Sequence, residues 1–302
     1  MSISESSAPA TMGSPPQVGD VSATRGRPAL SPSRAGDFKQ CPLLYRFRAV
    51  DRLPEVPTRA QLKGTLVHAA LETLFGLPAP ERVPQTAVLL VRPSWEQMLA
   101  KSPDLTDLVP EDEVDAFLDE ACSLVNAYYE MEDPTRFEAQ SCELRVETEL
   151  DDGVPLRGFV DRIDVAPTGE LRVVDYKTGR APREMSEPKA LFQMKFYALV
   201  LLRTRSIVPT QLRLLYLGSG TVLTYAPDED ELLRFERTLS AIWKAIVTAG
   251  ATGDFRPNPS RLCEWCDHKS RCPSFGGTPP PYPGWPGGPP QAQPGFEEVV
   301  VE

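Results

Sequence analysis

The sequence predicts an α/β protein in which helices flank a central sheet. Helical segments come first, followed by three strands, a helix, two strands and a last helix. The strand segments carry apolar residues at every second position, and the helical segments carry them three or four positions apart. With 302 residues, the chain is long enough to bury a sizeable core.

The first predicted helix covers residues 31–38. Ser31 is a suitable N-cap, and Pro32 occupies the first helical position, where proline lacks no needed hydrogen bond. Helical apolar spacing recurs at 62–75 and 113–130. The remaining elements follow in chain order: strands 141–150, 156–165 and 171–176, helix 188–203, a hairpin of 211–217 and 221–225, and helix 228–249.

Composition predicts one domain, 29–275, between two disordered tails. Residues 1–28 lack aromatic residues and periodicity, and residues 276–302 are rich in proline and glycine. No run of eighteen apolar residues exists, so we expect no membrane span. The N-terminal stretch also lacks the apolar core of a secretory signal, which predicts a cytoplasmic protein with reduced thiols.

The net charge of −10 is unevenly distributed along the chain. Residues 25–63 hold nine lysines and arginines against three acids, whereas residues 101–152 hold seventeen acids against three basic residues. The acidic stretch is typical of a solvated helical face. A nucleic-acid substrate is therefore compatible with the acidic total.

Two neighbouring strands carry the residues that favour phosphodiester chemistry. Asp161 follows Gly158-Phe159-Val160, and Asp175 precedes Tyr176-Lys177 on the next strand. Because strand side chains alternate, Asp175 and Lys177 share a face and Tyr176 points away. Two carboxylates that can hold Mg²⁺ or Mn²⁺, beside an ammonium, suit phosphodiester hydrolysis.

Three further polar residues have helical positions before and after this hairpin. His68 lies on the helix 62–75, and Gln193 and Tyr197 lie one turn apart on the helix that follows. Each also has an ordinary structural interpretation, since a lone helical histidine is more often structural than a ligand and Tyr197 suits a core position.

Three cysteines, Cys263, Cys266 and Cys272, form a compact cluster that needs a fourth ligand. His268 would complete a Zn²⁺ site, whereas Cys41 would complete an iron–sulfur site. The spacing alone leaves both open. The other two cysteines, Cys122 and Cys142, fall in helix and strand patterns typical of core residues.

The combined motifs resemble the RecB-like branch of the PD-(D/E)xK nuclease superfamily. That branch has a histidine on an early helix, a Gly-x-x-Asp strand, an acid-x-Lys strand and a Gln-x-x-x-Tyr helix. The corresponding segments here are Lys63-Gly64-Thr65-Leu66-Val67-His68, Gly158-Phe159-Val160-Asp161, Asp175-Tyr176-Lys177 and Gln193-Met194-Lys195-Phe196-Tyr197.

The resemblance implies a restriction-endonuclease-like core with a mixed central sheet. It implies that His68, Asp161 and Asp175 bind Mg²⁺ or Mn²⁺, with the Tyr176 carbonyl as a further ligand. Asp161, Asp175 and Lys177 would be catalytic, and Gln193 and Tyr197 would position DNA or Lys177.

The cysteines extend the resemblance to iron–sulfur exonucleases of the AddB and CRISPR-adaptation type. Those proteins carry one cysteine before the nuclease core and Cys-x2-Cys-x5-Cys after it. The pattern implies a [4Fe–4S] cluster that joins the N- and C-terminal segments of the domain, held by Cys41, Cys263, Cys266 and Cys272.

The resemblance implies a metal-dependent DNA exonuclease of repair or recombination that acts on single-stranded ends. No Walker motif is present, so any helicase partner would be a separate chain. Residues expected to follow the DNA backbone are Arg157, Arg162, Arg180, Arg183, Lys189 and Lys195. The alternatives are a catalytically silent DNA- or partner-binding module with a structural Zn or Fe–S site, and a zinc-containing protein whose Pro-rich tail binds a partner.

Overall fold

The structure is a computed structural model that describes residues 28–181 and 187–286. For residues 187–190 it describes the backbone and not the side chains. Four sequence predictions therefore lie outside the described residues: the tail 1–27, the tail from 287 onward, Arg183 and the side chain of Lys189.

The described residues form a mixed five-stranded sheet in the order β1-β2-β3-β4-β5. All neighbouring strands pair antiparallel except β3 and β4, which pair parallel. The strands are β1 (Ala139–Glu149), β2 (Pro155–Val165), β3 (Leu171–Lys177), β4 (Gln211–Tyr216) and β5 (Thr221–Tyr225). The α/β class with a mixed sheet flanked by helices is confirmed.

Helix α7 connects the two parallel strands, as parallel pairing requires. The helices are α1 (Pro32–Gln40), α2 (Pro42–Tyr45), α3 (Arg59–Phe75), α4 (Pro84–Leu89), α5 (Val91–Lys101), α6 (Val114–Tyr129), α7 (Glu187–Arg205) and α8 (Glu229–Thr252). No helix among the described ranges is both long and apolar enough to cross a bilayer.

Two apolar clusters cover the two faces of the sheet. One contains Val173 and Leu212 together with side chains of α1, α7 and α8. The other contains Val174 and Leu215 together with side chains of α3, α5 and α6. Consecutive residues of one strand enter opposite clusters, as the alternation of strand side chains requires.

Local signals explain where the main helices begin. Ser31 caps α1 by accepting a hydrogen bond from the Arg34 amide at 3.2 Å, as its position in the sequence predicts. Thr58 and Gln61 form a reciprocal capping box at the start of α3.

Helices α4 and α5 were not predicted from the sequence. Pro84 begins α4 and Pro93 lies in the first turn of α5, so prolines interrupt the apolar pattern at positions where a helix still tolerates them. Trp95 of α5 is nevertheless fully buried against Phe117 of α6. These two helices belong to the α3–α6 side of the sheet.

The prediction of disorder from residue 276 is wrong for residues 276–286, which pack against α8. The Tyr282 hydroxyl donates to the Gly250 carbonyl at 2.6 Å, and the Trp285 ring meets the Trp243 ring edge-on at 6.2 Å. The two aromatic side chains gain enough burial to order a proline-rich segment that forms no regular structure of its own.

Because Trp285 packs against Gly250, we expect substitution of this glycine to have an unusual effect on the free energy of unfolding. Gly→Ala within a helix normally stabilises by about 1 kcal/mol. A β-carbon at Gly250 would lie 2.1 Å from the Trp285 ring, so Gly250→Ala should instead destabilise by about 1–3 kcal/mol, measured as the free energy of unfolding in urea. In a Trp285→Ala background the same change should become neutral or stabilising; destabilisation in both backgrounds would contradict the packing.

Candidate active site

The hairpin of β2 and β3 places the two aspartates predicted to be catalytic at neighbouring positions. Arg162 pairs with Val174, so Asp161 and Asp175 occupy the next positions along the two strands. The Asp161 carboxylate accepts a hydrogen bond from the Tyr176 amide at 2.8 Å. This bond ties the end of one strand to the other and holds the Asp161 side chain in place.

Asp175 and Lys177 form an ion pair that a glutamine completes. Lys177 Nζ lies 2.7 Å from Asp175 Oδ2 and donates to Gln193 Oε1 at 3.0 Å. Gln193 Nε2 donates to Asp175 Oδ1 at 2.7 Å and to the Tyr197 hydroxyl at 3.2 Å. The amide of Gln193 therefore contacts both members of the ion pair. Through this contact α7 holds the lysine in position at the end of β3.

A second acidic group lies beside His68. Ligand atoms of His68, Glu143 and Asp161 all lie within 4.8 Å of one another, the spacing of a metal site. His68 Nδ1 is 3.5 Å from Glu143 Oε1 and 3.6 Å from Asp161 Oδ2. The other ring nitrogen, Nε2, lies 3.1 Å from the Tyr176 carbonyl. A ring that donates Nε2–H to this carbonyl presents the Nδ1 lone pair to the carboxylates.

Backbone strain accompanies the glutamate of this group. Glu143 has a φ of 45°, in the left-handed region that residues with a side chain seldom adopt. The strained conformation lies on β1, opposite Asp161 of β2, and its side chain reaches His68. Strain of this kind is maintained where the surrounding structure requires a particular side-chain position.

Burial and mutual charge perturb the acids and bases of the site. Burial and the charge of Asp175 raise the pKa of Asp161 to about 7. Burial lowers the pKa of Lys177, but Asp175 and Asp161 outweigh it, so the pKa lies above its ordinary value and the lysine is an ammonium. For His68, burial likewise acts downward, and Glu143, Asp161 and Asp175 together raise the pKa.

The structure thus brings together most of the residues predicted from the sequence, in two adjoining groups. His68 and Asp161 belong to the metal-spaced group, whereas Asp175 lies outside it and contacts Lys177 and Gln193. The Tyr176 carbonyl contacts His68. Sequence analysis missed Glu143, which is one of many acids in its segment and gives no signal beyond its place in a predicted strand.

The glycine of the Gly-x-x-Asp motif has a steric explanation. A β-carbon at Gly158 would lie 2.8 Å from the ring of Tyr197. Glycine therefore allows α7 to approach β2 closely enough for Tyr197 and Gln193 to reach the hairpin. Two motifs that are almost 40 residues apart are coupled by this one contact.

Arg162 does not follow a DNA backbone, because it is completely buried beneath the hairpin. Its guanidinium donates to Asp164 Oδ1 at 2.9 Å and to the Tyr176 hydroxyl at 2.5 Å, and it lies 2.5 Å from Glu132 Oε1. The ring of Phe75 faces it with 4.7 Å between the guanidinium carbon and the ring centroid. Arg162 therefore belongs to the buried network on the α3–α6 side of the sheet.

Two of the other basic residues predicted to face DNA are exposed or partly exposed. Arg157 contacts Glu147 at 3.1 Å at the strand surface, and Arg180 is exposed beyond the end of β3. Lys195 forms an ion pair with Glu231 of α8 at 2.6 Å, which directs it to the α7–α8 contact.

The four predicted cluster cysteines line one small cavity at the junction of the N- and C-terminal segments. The cavity has a volume of about 30 Å³ and apolar walls that include Leu43 and Phe47, and its thiols belong to Cys41, Cys263, Cys266 and Cys272. Backbone amides donate to two of the sulfurs at 3.3 Å, from Asn258 to Cys41 and from Ser260 to Cys263.

His268 also lines the cavity, but its ring has another partner. Its Nε2 lies 2.9 Å from Glu55 Oε1, and the ring packs edge-on against Phe47. Cys122 and Cys142 pack against the α3–α6 side of the sheet, as predicted for core residues.

Residues 29–273 match the family model described as the PD-(D/E)XK nuclease superfamily. The chain belongs to this superfamily. The match spans both the hairpin of β2 and β3 and the cysteine cavity. Membership in the PD-(D/E)XK superfamily therefore rests on most of the domain.

Relatives of this PD-(D/E)XK chain include two phage proteins and one solved structure. The Gene 69 protein of Mycobacterium phage D29 is 24% identical over 274 residues, covering 82% of this chain and 97% of the phage protein. The Gene 69 protein of Mycobacterium phage L5 is 31% identical over 136 residues, covering 44% of each. A crystal structure of a "Putative exonuclease" from Eubacterium rectale aligns with a TM-score of 0.54 at 13% identity, over 80% of this chain and 87% of the other, which shows a shared fold.

Substitutions of the buried Arg162 and the exposed Arg180 together test how much the buried guanidinium contributes to stability. Arg162→Met leaves Glu132 and Asp164 without their central partner, so the free energy of unfolding should fall by about 3–5 kcal/mol. Arg180→Met removes an exposed arginine and should change it by less than about 0.5 kcal/mol. Equal effects in chemical denaturation would contradict the buried network.

Glu143 gives a second test, in which the readout is metal affinity. Glu143→Gln keeps the size of the side chain but removes its charge, so Mn²⁺ affinity in calorimetry should fall at least about tenfold. Glu147→Gln on the same strand is the control, because Glu147 contacts Arg145 and Arg157. Unchanged affinity in Glu143→Gln would exclude Glu143 from the metal site.

Proposed function

We propose that the protein is a Mg²⁺- or Mn²⁺-dependent deoxyribonuclease that hydrolyses phosphodiester bonds as an exonuclease at single-stranded ends. The observation that carries the proposal is the arrangement of one ammonium, Lys177, beside a group with metal spacing formed by His68, Glu143 and Asp161. Superfamily membership supports a nuclease with DNA as substrate.

The donor set of His68, Glu143 and Asp161 fits a hard divalent cation, because two of the three ligands are carboxylates. A bound Mg²⁺ or Mn²⁺ would lower the pKa of a water molecule and screen the charge of the scissile phosphate. Burial and, after it, the charge of Asp175 raise the pKa of Asp161 to about 7, and a bound cation would favour its ionised form. We assign Asp175 to the edge of this site, where it can add a further oxygen.

Lys177 would stabilise the negative charge that develops on the phosphate oxygens during hydrolysis. Its raised pKa keeps it cationic, which suits charge stabilisation and not proton abstraction. Gln193 holds the ammonium in place by accepting from Nζ, and Tyr197 fixes the orientation of the Gln193 amide. The two α7 residues would therefore act on the reaction through Lys177.

The finer assignments have separate support. The description of the Eubacterium rectale protein as a "Putative exonuclease", with its shared fold, favours action at ends. We assign the protein to DNA repair or recombination in the cytoplasm, where thiols stay reduced, with single strands supplied by a helicase or repair partner in trans.

We further propose that Cys41, Cys263, Cys266 and Cys272 hold a [4Fe–4S] cluster. All four sulfurs line one cavity, whereas His268, the fourth ligand that a Zn²⁺ site would use, has Glu55 as its partner. This favours the four-cysteine set of an iron–sulfur site. Backbone amides that donate to the sulfurs suit thiolate ligands. The cluster would cross-link the two ends of the domain.

The decisive experiment is nucleotide release from end-labelled single- and double-stranded DNA in Mg²⁺ or Mn²⁺. Lys177→Ala should lower the rate by about 10²–10³-fold because it removes a charge-stabilising donor, and Asp175→Ala should lower it comparably by releasing the lysine. Lys244→Ala, which removes an exposed lysine on α8, should retain the wild-type rate.

Three results separate the proposal from its alternatives. Equal rates for the wild type, Lys177→Ala and Asp175→Ala would contradict the catalytic assignment. DNA binding without any nucleotide release by the wild type would indicate a catalytically silent binding module. An absorbance near 400 nm in the purified protein would support the iron–sulfur cluster, and its absence together with stoichiometric zinc would contradict it.

A further inference from the structure

A groove of about 990 Å³ leads from the active site across the start of the domain. At one end its wall contains Gln193, which contacts the Asp175–Lys177 pair, and Tyr197, whose hydroxyl accepts from Gln193. At the other end it reaches Leu262, which also lines the cysteine cavity. The groove thus connects the candidate active site with the cysteine cavity.

Positive charge is concentrated on the walls of this groove. They contain four cations, Arg34, Lys39, Arg48 and Arg157, and one carboxylate, Asp37. Arg48 pairs with Asp37 and Glu55, and Arg157 pairs with Glu147, so the excess positive charge of this surface comes from Arg34 and Lys39. The chain as a whole carries a net charge of −10, so this surface has the opposite sign to the average. A groove of this charge attracts a polyanion and orients it along its length.

Aromatic rings lie beside these cations. Phe159 is 54% exposed, a large fraction for a phenylalanine in the middle of a strand, and it lies two positions from Asp161. Phe192 directly precedes Gln193 in the chain, and Lys39 Nζ lies 4.7 Å from the centroid of its ring. The exposed ring of Phe159 offers a stacking surface, and Lys39 beside Phe192 offers a phosphate contact on the same groove wall.

The first turn of α1 adds donors to the same surface. Ser31, Ser33 and Arg34 at the start of this helix line the groove, and the positive end of the helix dipole faces it. The Arg34 guanidinium donates to the Ala29 carbonyl at 2.9 Å, which holds the side chain along the helix start.

On the basis of the nuclease function above, we propose that this groove binds single-stranded DNA, with Phe159 as a stacking platform for an unpaired base next to the active site. Duplex DNA does not match the surface, because its bases are stacked on each other and their faces cannot reach Phe159. The groove therefore selects unwound ends before the strand reaches Lys177.

The binding test uses fluorescence anisotropy of 5′-fluorescein-labelled dT20 in EDTA, so that no cleavage occurs. Phe159→Ala should weaken binding by roughly 5- to 100-fold, the effect expected for loss of one base–aromatic stack. Leu89→Ala is the matched control, because Leu89 is an exposed apolar side chain outside the groove.

Lys39→Gln should reduce the slope of log affinity against log salt by about 0.7, as expected for one phosphate contact to a single strand.

A second readout locates the contact directly. Ultraviolet irradiation of a dT20 analogue that carries 5-iodouracil should cross-link Phe159 or Phe192, identified by peptide mass spectrometry. Equal affinity of the wild type and Phe159→Ala for dT20, absence of binding by either, or an equal loss for a dT20–dA20 duplex would overturn the proposal. If Phe159 governs binding but the wild type releases no nucleotides in Mg²⁺, the groove stands and the nuclease function fails.

Discussion

The antiparallel pairing of β2 with β3 determines which side chains of the hairpin meet the acidic group and which enter the core. In this register Asp161 and Asp175 are neighbours, and the residues that follow them, Arg162 and Tyr176, contact each other and Phe75 or Tyr128 of the α3–α6 side. A shift of one residue would exchange the positions of the carboxylates and the arginine. The candidate site and the buried arginine network therefore depend on the same pairing.

The buried Arg162 network stabilises the β2–β3 hairpin, whereas the neighbouring carboxylates of the hairpin destabilise it. Buried carboxylates beside one another raise the pKa of Asp161 to about 7, which is a cost to the folded state at neutral pH. On the other face, the guanidinium of Arg162 is satisfied by Glu132, Asp164 and the Tyr176 hydroxyl. This network fixes Tyr176, whose amide and carbonyl in turn contact Asp161 and His68.

Local sequence patterns predict the hairpin, the helix with His68 and the helix with Gln193 and Tyr197, because each depends on residues close together in the chain. The sequence could not predict Glu143 or the role of Arg162, since both follow from how β1 and β2 are aligned and which face each residue takes. The packing of Trp285 on Gly250 was also beyond prediction, because it joins a proline-rich segment to α8 through tertiary contact alone. In each case the missing information is long-range.

The chemistry proposed for this protein depends on a divalent cation bound at His68, Glu143 and Asp161. Electron spin-echo envelope modulation of Mn²⁺ tests it directly, because a coordinated imidazole nitrogen gives a characteristic modulation and the chain has only two histidines. The Mn²⁺-loaded wild type should show this nitrogen coupling, His68→Gln should lose it, and His268→Gln should keep it. A coupling that is absent from the wild type, or that survives in His68→Gln, would exclude His68 as a ligand of the cation.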